Sequence, residues 1–192
     1  MDRQRQMYLT GTLGILVAVA LIAVLVWLVR GEGALAPGSD DVASTATSFE
    51  ECIQEEGSVI MESYPRQCRT SDGRTFTEDI GNELEKRTII RIDAPRPNAE
   101  ITSPLAISGE ARGMWYFEAD FPVRLLDGNG NEIAMAIATA QSNWMTEDFV
   151  PFEATLTFTA PTTRTGTLVL EKDNPSGLPE HADELRVPVV FE

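Results

Sequence analysis

The chain has few residues of the kinds that build catalytic and metal sites. It holds one histidine, His181, and two cysteines, Cys52 and Cys68. Two thiols alone make a poor zinc site, because structural zinc takes about four ligands and the histidine is distant in sequence. Ser176 lies in the tetrapeptide 174–177, not in the G-x-S-x-G motif of many serine hydrolases. We therefore expect no catalytic residue, no metal and no cofactor, and a protein that is not an enzyme.

Basic residues are also scarce. The chain carries 15 Lys and Arg against 30 Asp and Glu, a formal net charge of −15. Such a surface repels the phosphates of nucleic acids and the headgroups of anionic lipids. We exclude nucleic acid as a partner. The acidic excess fits simple solubility, or attraction to a basic partner.

One long apolar run is present near the N-terminus. Residues 9–29 contain no charged side chain, and about 20 such residues span the hydrocarbon core of a bilayer as a helix. Arg3 and Arg5 precede the run, and Arg30 closes it. Since basic residues stay on the cytoplasmic side, we expect residues 1–30 to hold a single-pass transmembrane helix. Its N-terminus would be cytoplasmic, and the bulk of the chain extracytoplasmic, at the cell membrane.

A cleaved signal peptide is the alternative for this run. Residues 34–36, Ala-Leu-Ala, resemble a cleavage site. However, the run is longer than a usual signal core, and Pro37 would follow the cut. We expect an uncleaved anchor, followed by a flexible linker over residues 31–47, which are small, polar and acidic.

The two cysteines lie in a short segment that reads as a small hairpin module, residues 48–79. In an exterior compartment, Cys52 and Cys68 are expected to form a disulfide; reactive thiols are the alternative. Thr47 or Ser48 is placed to cap a short helix. A strand is expected at 59–61, and a turn at 71–73. A charged connector, residues 78–87, follows the module.

From residue 88 onward the pattern changes to short runs of alternating apolar and polar residues. Seven such runs with turn residues between them predict an immunoglobulin-like β-sandwich over residues 88–192. Pro188 in the last run predicts an edge strand or a bulge. The runs lie at 90–92, 105–107, 121–125, 133–137, 154–158, 168–170 and 187–191.

The stretch from Ile101 to Val123 resembles the Gmad2 family, the immunoglobulin-like domain of bacterial spore-germination and related envelope proteins. Further similar pieces occur in the same order, at 143–145, 149–152, 174–177 and 186–189. The resemblance covers roughly residues 89–191. It implies the sandwich fold and a non-catalytic binding or scaffolding role at the cell envelope, and it assigns no catalytic residue.

Aromatic residues concentrate at one place in this domain. Trp115, Phe117 and Trp144 are candidates for an exposed binding surface, because Trp and aromatic anchors are enriched at interfaces. Burial in the core is the alternative, since this sandwich lacks the disulfide of antibody domains. We also expect Arg112 and Glu118, which flank the cluster, to form an ion pair.

The segment from Asp127 to Glu132 begins like a calcium-binding loop. The EF-hand form requires Gly at its sixth position and Glu at its twelfth. Here those positions are Glu132 and Ala138, so a hairpin turn is the better interpretation.

The sequence thus predicts a membrane-anchored, extracytoplasmic binding or scaffolding module whose partner is a cell-envelope protein or peptidoglycan. Two alternatives stay open. One is an exterior hydrolase that uses carboxylates, and the other is a purely structural spacer. An exposed patch at the three aromatic residues would favour binding, and burial of all three would favour the spacer.

Overall fold

The computed structural model describes residues 43–192, and Ser44–Glu192 form one compact unit. The predicted transmembrane helix at residues 9–29 lies outside the described residues. Between residues 43 and 192, no helix is both long and apolar enough to cross a membrane.

The unit begins with a small disulfide module. Its short helix α1 is capped as predicted, because the Ser48 side chain accepts a hydrogen bond from the Glu51 amide at 3.2 Å. The Glu51 carboxylate in turn accepts from the Thr47 amide at 2.6 Å. Three strands follow and form an antiparallel sheet in the order β1-β2-β3. The elements are α1 Phe49–Cys52, β1 Val59–Met61, β2 Gln67–Arg69 and β3 Thr75–Thr77.

The predicted disulfide between Cys52 and Cys68 is confirmed, and it joins α1 to β2. Both cysteines are fully buried with Ala46 and Phe49. This cluster is too small to stabilise an independent domain by apolar burial alone, which explains the need for a covalent link.

The connector is more ordered than its charged sequence suggests. It forms a second short helix, α2 Glu83–Lys86, that packs on strands of the sandwich. The side chain of Asn82 donates to the Glu184 carbonyl at 3.0 Å and accepts from the Arg186 amide at 2.7 Å. These bonds occupy one edge of the last strand.

Polar contacts also hold the disulfide module against the sandwich. Glu78 accepts two hydrogen bonds from the Arg66 side chain, at 2.7 and 2.9 Å, and one from the Asn98 side chain at 3.2 Å. Tyr64 donates to the buried carboxylate of Glu83. Arg96 donates to the Tyr64 hydroxyl at 2.7 Å and forms an ion pair with Glu83 at 2.8 Å.

Eight strands form the C-terminal domain, hydrogen-bonded in the order β4-β6-β9-β8-β7-β10-β11-β5. The pairs are antiparallel except β11 with β5. Each predicted run overlaps a strand, although the run at 154–158 lies at the end of β9, and the short β5 was not predicted. The strands are β4 Ile90–Ala94, β5 Glu100–Ile101, β6 Leu105–Arg112, β7 Asp120–Asp127, β8 Glu132–Ala140, β9 Phe149–Leu156, β10 Thr165–Glu171 and β11 Glu184–Phe191.

The eight strands form two facing layers. Strands β8 and β9 pair at only two positions, and at that point one layer passes into the other. The ring of Phe121 on β7 meets the ring of Phe152 on β9 edge-on, with centroids 5.0 Å apart. Inward-facing side chains of both layers fill the space between them, as expected for a sandwich. The core is apolar, and its largest fully buried members include Trp115, Phe121, Phe152, Ile90, Ile92, Ile107, Leu125 and Leu156.

Candidate functional site

The predicted aromatic cluster does not form one exposed surface. Trp115 is fully buried, and Trp144 is partly buried against the same core. Only Phe117 is exposed. Assigning Trp115 to a binding surface was therefore wrong, because its indole fills the sandwich core beneath the loop that follows β6.

Other apolar side chains are exposed around Phe117. Met114, Phe117 and Met145 are 63%, 43% and 75% exposed, respectively, and we call these three residues the apolar tip. Met114 and Phe117 lie in the loop between β6 and β7, and Met145 lies in the loop between β8 and β9. Sequence reasoning missed the two methionines because it weighed aromatic residues only.

The two loops touch through their backbones at Gly113. A Cβ atom at this position would lie 2.1 Å from the carbonyl oxygens of both Trp144 and Thr146. No side chain fits at that distance, so the two loops can meet only because glycine has no side chain. Gly113 thus brings Met114 and Met145 to the same end of the sandwich.

Side-chain hydrogen bonds fix the loops from below. Arg112 donates to the carbonyls of Thr88 and Glu147, both at 2.7 Å, and its guanidinium stacks over the Phe149 ring at 4.6 Å. Arg112 and Glu118 do not form an ion pair among the described residues, so that prediction is wrong, and the guanidinium binds these backbone carbonyls instead.

The buried Tyr116 hydroxyl joins the first loop to β9. It donates to the Val150 carbonyl at 2.7 Å, and burial raises the pKa of this phenol well above its ordinary value. The hydroxyl therefore stays protonated and keeps its donor at all physiological pH values. The loops of the apolar tip are thus held to the sandwich by hydrogen bonds from Arg112 and Tyr116.

Two features of this loop set it apart from an ordinary connection. Glu118 and Ala119 have φ angles of 54° and 72°, in the left-handed region that residues with a Cβ rarely adopt. Trp115 Nε1 and Asp120 Oδ1 are buried and have no hydrogen-bond partner among the described residues. Strain and unsatisfied polar atoms concentrate at functional sites, and both occur here beneath the apolar tip.

The candidate calcium loop is a hairpin turn, as the sequence predicts. One carboxylate oxygen of Asp127 accepts from the amides of Asn129 and Asn131, at 2.9 and 2.8 Å. Hydrogen bonds from Asn131, the largest cause, and from Asn129 lower the pKa of Asp127. No group of three or more His, Cys, Asp or Glu side chains arranged to hold a metal occurs within residues 43–192.

The remaining candidates for catalysis are not brought together. Ser176 donates to the Asn174 side chain at 2.5 Å, and His181 is exposed in a short 3-10 turn. An open cleft of about 570 Å³ beside the loop between β10 and β11 is lined by four carboxylates. Three of these four carboxylates, Glu171, Asp183 and Glu184, form ion pairs with Arg124, with the α2 lysine and with Arg186, which leaves Asp173 alone. The cleft therefore shows no pair of free carboxylates of the kind a glycosidase uses.

A comparison with protein families agrees with this fold. The model of the Gmad2 family, described as the immunoglobulin-like domain of bacterial spore germination, matches residues 89–177. The match begins just before β4 and ends between β10 and β11, so it includes both loops of the apolar tip. It confirms the resemblance read from the sequence. No curated protein and no solved structure matches the chain.

Proposed function

We propose that this chain, whose residues 89–177 match the Gmad2 family, is a non-catalytic binding or scaffolding module of the bacterial cell envelope. The apolar tip is the observation that carries the proposal. Three large apolar side chains from two loops stand exposed at one end of the sandwich, on loops held by hydrogen bonds from Arg112 and from the buried Tyr116 hydroxyl. Clustered exposed apolar residues mark interaction surfaces.

The chemistry of the tip favours a protein partner over peptidoglycan. Methionine side chains are flexible and polarizable, and they adapt to apolar partner surfaces. Exposed carboxylates flank the tip at Glu118, Glu147 and Asp148. A polar rim around an apolar centre is the usual arrangement of a protein interface. The partner we propose therefore has an apolar pocket surrounded by Lys or Arg.

The location we propose follows from the N-terminal sequence. Residues 9–29 act as a single-pass anchor, with the N-terminus in the cytoplasm and the sandwich outside the membrane. The disulfide between Cys52 and Cys68 supports this side of the membrane, since disulfides persist in oxidising compartments and are rare in the cytosol.

Crosslinking and pull-down from intact cells test the proposal. We compare the full chain with a Phe117→Ser and Met145→Ser double variant. The matched control is Val59→Ser with Ile60→Ser, which changes two exposed apolar residues of the disulfide module. We expect a specific protein with the full chain and the control, and its loss with the tip variant. Equal recovery from all three chains, or no specific protein, would leave a structural spacer as the better description.

A further inference from the structure

The accessible sulfur atoms of the described chain all belong to methionines. Cys52 and Cys68 form a fully buried disulfide, and the sequence holds no other cysteine. A free thiol is the sulfur group that reacts most readily with oxidants. Because this chain has no free thiol, a peroxide that reaches it acts on its thioethers.

The two methionines of the apolar tip are the most exposed of these thioethers. Met145 and Met114 are 75% and 63% exposed, against 53% for Met135 and 37% for Met61. These four are the methionines of residues 43–192. Since an oxidant must touch the sulfur atom to react with it, a diffusing oxidant reaches the tip more readily than the other two positions.

Neither tip methionine belongs to the apolar core. Met114 is the middle residue of the 3-10 turn Gly113–Trp115, in which the tryptophan is buried and the methionine is exposed to solvent. The amide of Met145 donates to the Asn143 side chain at 3.2 Å, so backbone contacts hold this loop as well. A chemical change at either sulfur atom therefore alters the surface of the tip and leaves the fold intact.

We propose that Met114 and Met145 are an oxidation site, and that their conversion to methionine sulfoxides switches off partner binding at the apolar tip. This regulation rests on the proposed binding role of the tip. The oxidant is hydrogen peroxide. Methionine sulfoxide is polar, whereas the thioether is apolar, so the modification changes the property on which the tip depends.

The chemistry of the step is simple. The O–O bond of hydrogen peroxide breaks, one oxygen atom bonds to the thioether sulfur, and the other leaves as water with both hydrogen atoms. The sulfur atom is oxidised by two electrons, and the peroxide is reduced by two. A methionine sulfoxide reductase reverses the change, with two thiols that become a disulfide while the oxygen atom leaves as water.

No group at the tip donates a hydrogen bond to a sulfoxide oxygen. The charged side chains that flank the tip are Glu118, Glu147 and Asp148, and ionised carboxylates only accept hydrogen bonds. The basic rim proposed for the partner pairs with these carboxylates. In the apolar pocket of the partner, the sulfoxide oxygen thus loses water and gains no donor, which opposes binding. We expect the two sulfoxides to lower partner capture about tenfold or more.

Peroxide treatment of the full chain in detergent micelles tests the oxidation site without any partner. Peptide mass spectrometry measures the rate at each methionine. We expect Met114 and Met145 to react faster than the internal controls Met61 and Met135, with an unchanged circular dichroism spectrum. Faster reaction at either control, or loss of the folded spectrum as the tip is oxidised, would overturn the site.

Crosslinking in intact cells tests the effect on binding. A photoreactive phenylalanine analogue replaces Phe117, so that both tip methionines stay native. Three chains are compared before and after peroxide: the native tip, Met114→Leu with Met145→Leu, and the matched control Met61→Leu with Met135→Leu. Leucine is close to methionine in size and is apolar, but it has no sulfur to oxidise. Peroxide should lower capture about tenfold with the native tip and with the control, and should not change it with the leucine tip.

The results distinguish the oxidation switch from the binding role. Capture that peroxide leaves unchanged in all three chains would overturn the switch and keep the binding role. An equal loss of capture with the leucine tip would also overturn the switch, because the oxidation would then act elsewhere. If no protein is captured before peroxide is added, the binding role is wrong and the switch fails with it.

Discussion

Trp115 and Phe117 are two residues apart in one loop, yet their environments are opposite. The indole of Trp115 is fully buried between the layers of the sandwich, whereas the ring of Phe117 is exposed beside Met114. A buried aromatic side chain contributes mainly to folding, and an exposed one contributes mainly to binding. These two positions therefore separate the stability of the domain from the function of the apolar tip.

Alanine substitutions should show this difference directly. Trp115→Ala is expected to lower the free energy of unfolding by about 3–5 kcal/mol, because it leaves a large cavity in the core. Phe117→Ala is expected to change it by less than about 1 kcal/mol. Urea unfolding followed by circular dichroism measures both values. Similar losses for the two variants would contradict the placement of the rings.

Glu78 is a second residue with a definite role. Its two bonds from Arg66, the largest cause, and its bond from Asn98 lower the pKa of this carboxyl below the ordinary value of 4.5. A lowered carboxyl pKa in the folded state stabilises the fold above the unfolded pKa. That contribution is lost as the pH falls through the lower, folded pKa.

A Glu78→Gln variant tests this dependence on pH. We expect it to be less stable than the parent chain by about 1 kcal/mol at pH 7, because charged hydrogen bonds are lost from a partly exposed pair. The gap should narrow as the pH falls below the ordinary carboxyl range and through the lower, folded pKa of Glu78, where the parent carboxyl becomes protonated. Unfolding curves at pH 7 and pH 3 give the comparison, and a constant gap would be evidence against the ion pair.

At the scale of elements, the disulfide module depends on its covalent link. Its core contains only four buried residues, two of which are the cysteines themselves. A disulfide that closes a loop of this length stabilises by about 3 kcal/mol in the chain-entropy model. The sandwich has a separate and much larger apolar core.

Removing the disulfide should therefore act locally. In a Cys52→Ala and Cys68→Ala double variant, we expect backbone amides of α1 and β1 to β3 to lose hydrogen-exchange protection. The amides of β7 and β10 at the centre of the sandwich should keep theirs. Exchange measured by mass spectrometry resolves the two regions. Equal loss in both would show that the module and the sandwich unfold as one cooperative unit.

The elements that sequence alternation predicts best are those with one buried face. The strands around Phe121 and Val187 show clear alternation because every second residue enters the core. Strand β9 begins earlier than predicted and ends at Leu156. The predicted run extended too far because the alternating threonines that follow continue the same pattern past Leu156. The two-residue β5 and the four-residue α2 carry too little pattern to be read, and they exist because they pack on β11.

The candidate site was only partly readable from the sequence. Consecutive aromatic residues correctly indicate that the loop between β6 and β7 belongs to the candidate site. The local sequence does not decide which of their rings points into the core. That choice depends on the 3-10 turn Gly113–Trp115 and on the close approach of the next loop at Gly113. Likewise, Arg112 donates its hydrogen bonds to residues far away in the chain, so the nearness of Glu118 in the sequence did not predict its partners.

For the whole molecule, apolar and acidic side chains are exposed together at one end of the fold. The apolar tip lies at the loop end of the sandwich, and the exposed carboxylates of Glu118, Glu147 and Asp148 flank it. The formal charge of −15 favours a partner with a basic rim around its apolar pocket.

Photocrosslinking from the tip in intact cells is the most direct measurement of the binding role. A photoreactive amino acid replaces Met145 in one full chain, Met114 in a second, and the exposed Val59 in a third as the control. We predict that positions 145 and 114 capture the same protein and that position 59 does not. No captured protein at position 145, or the same products at all three positions, would contradict a binding surface at the tip.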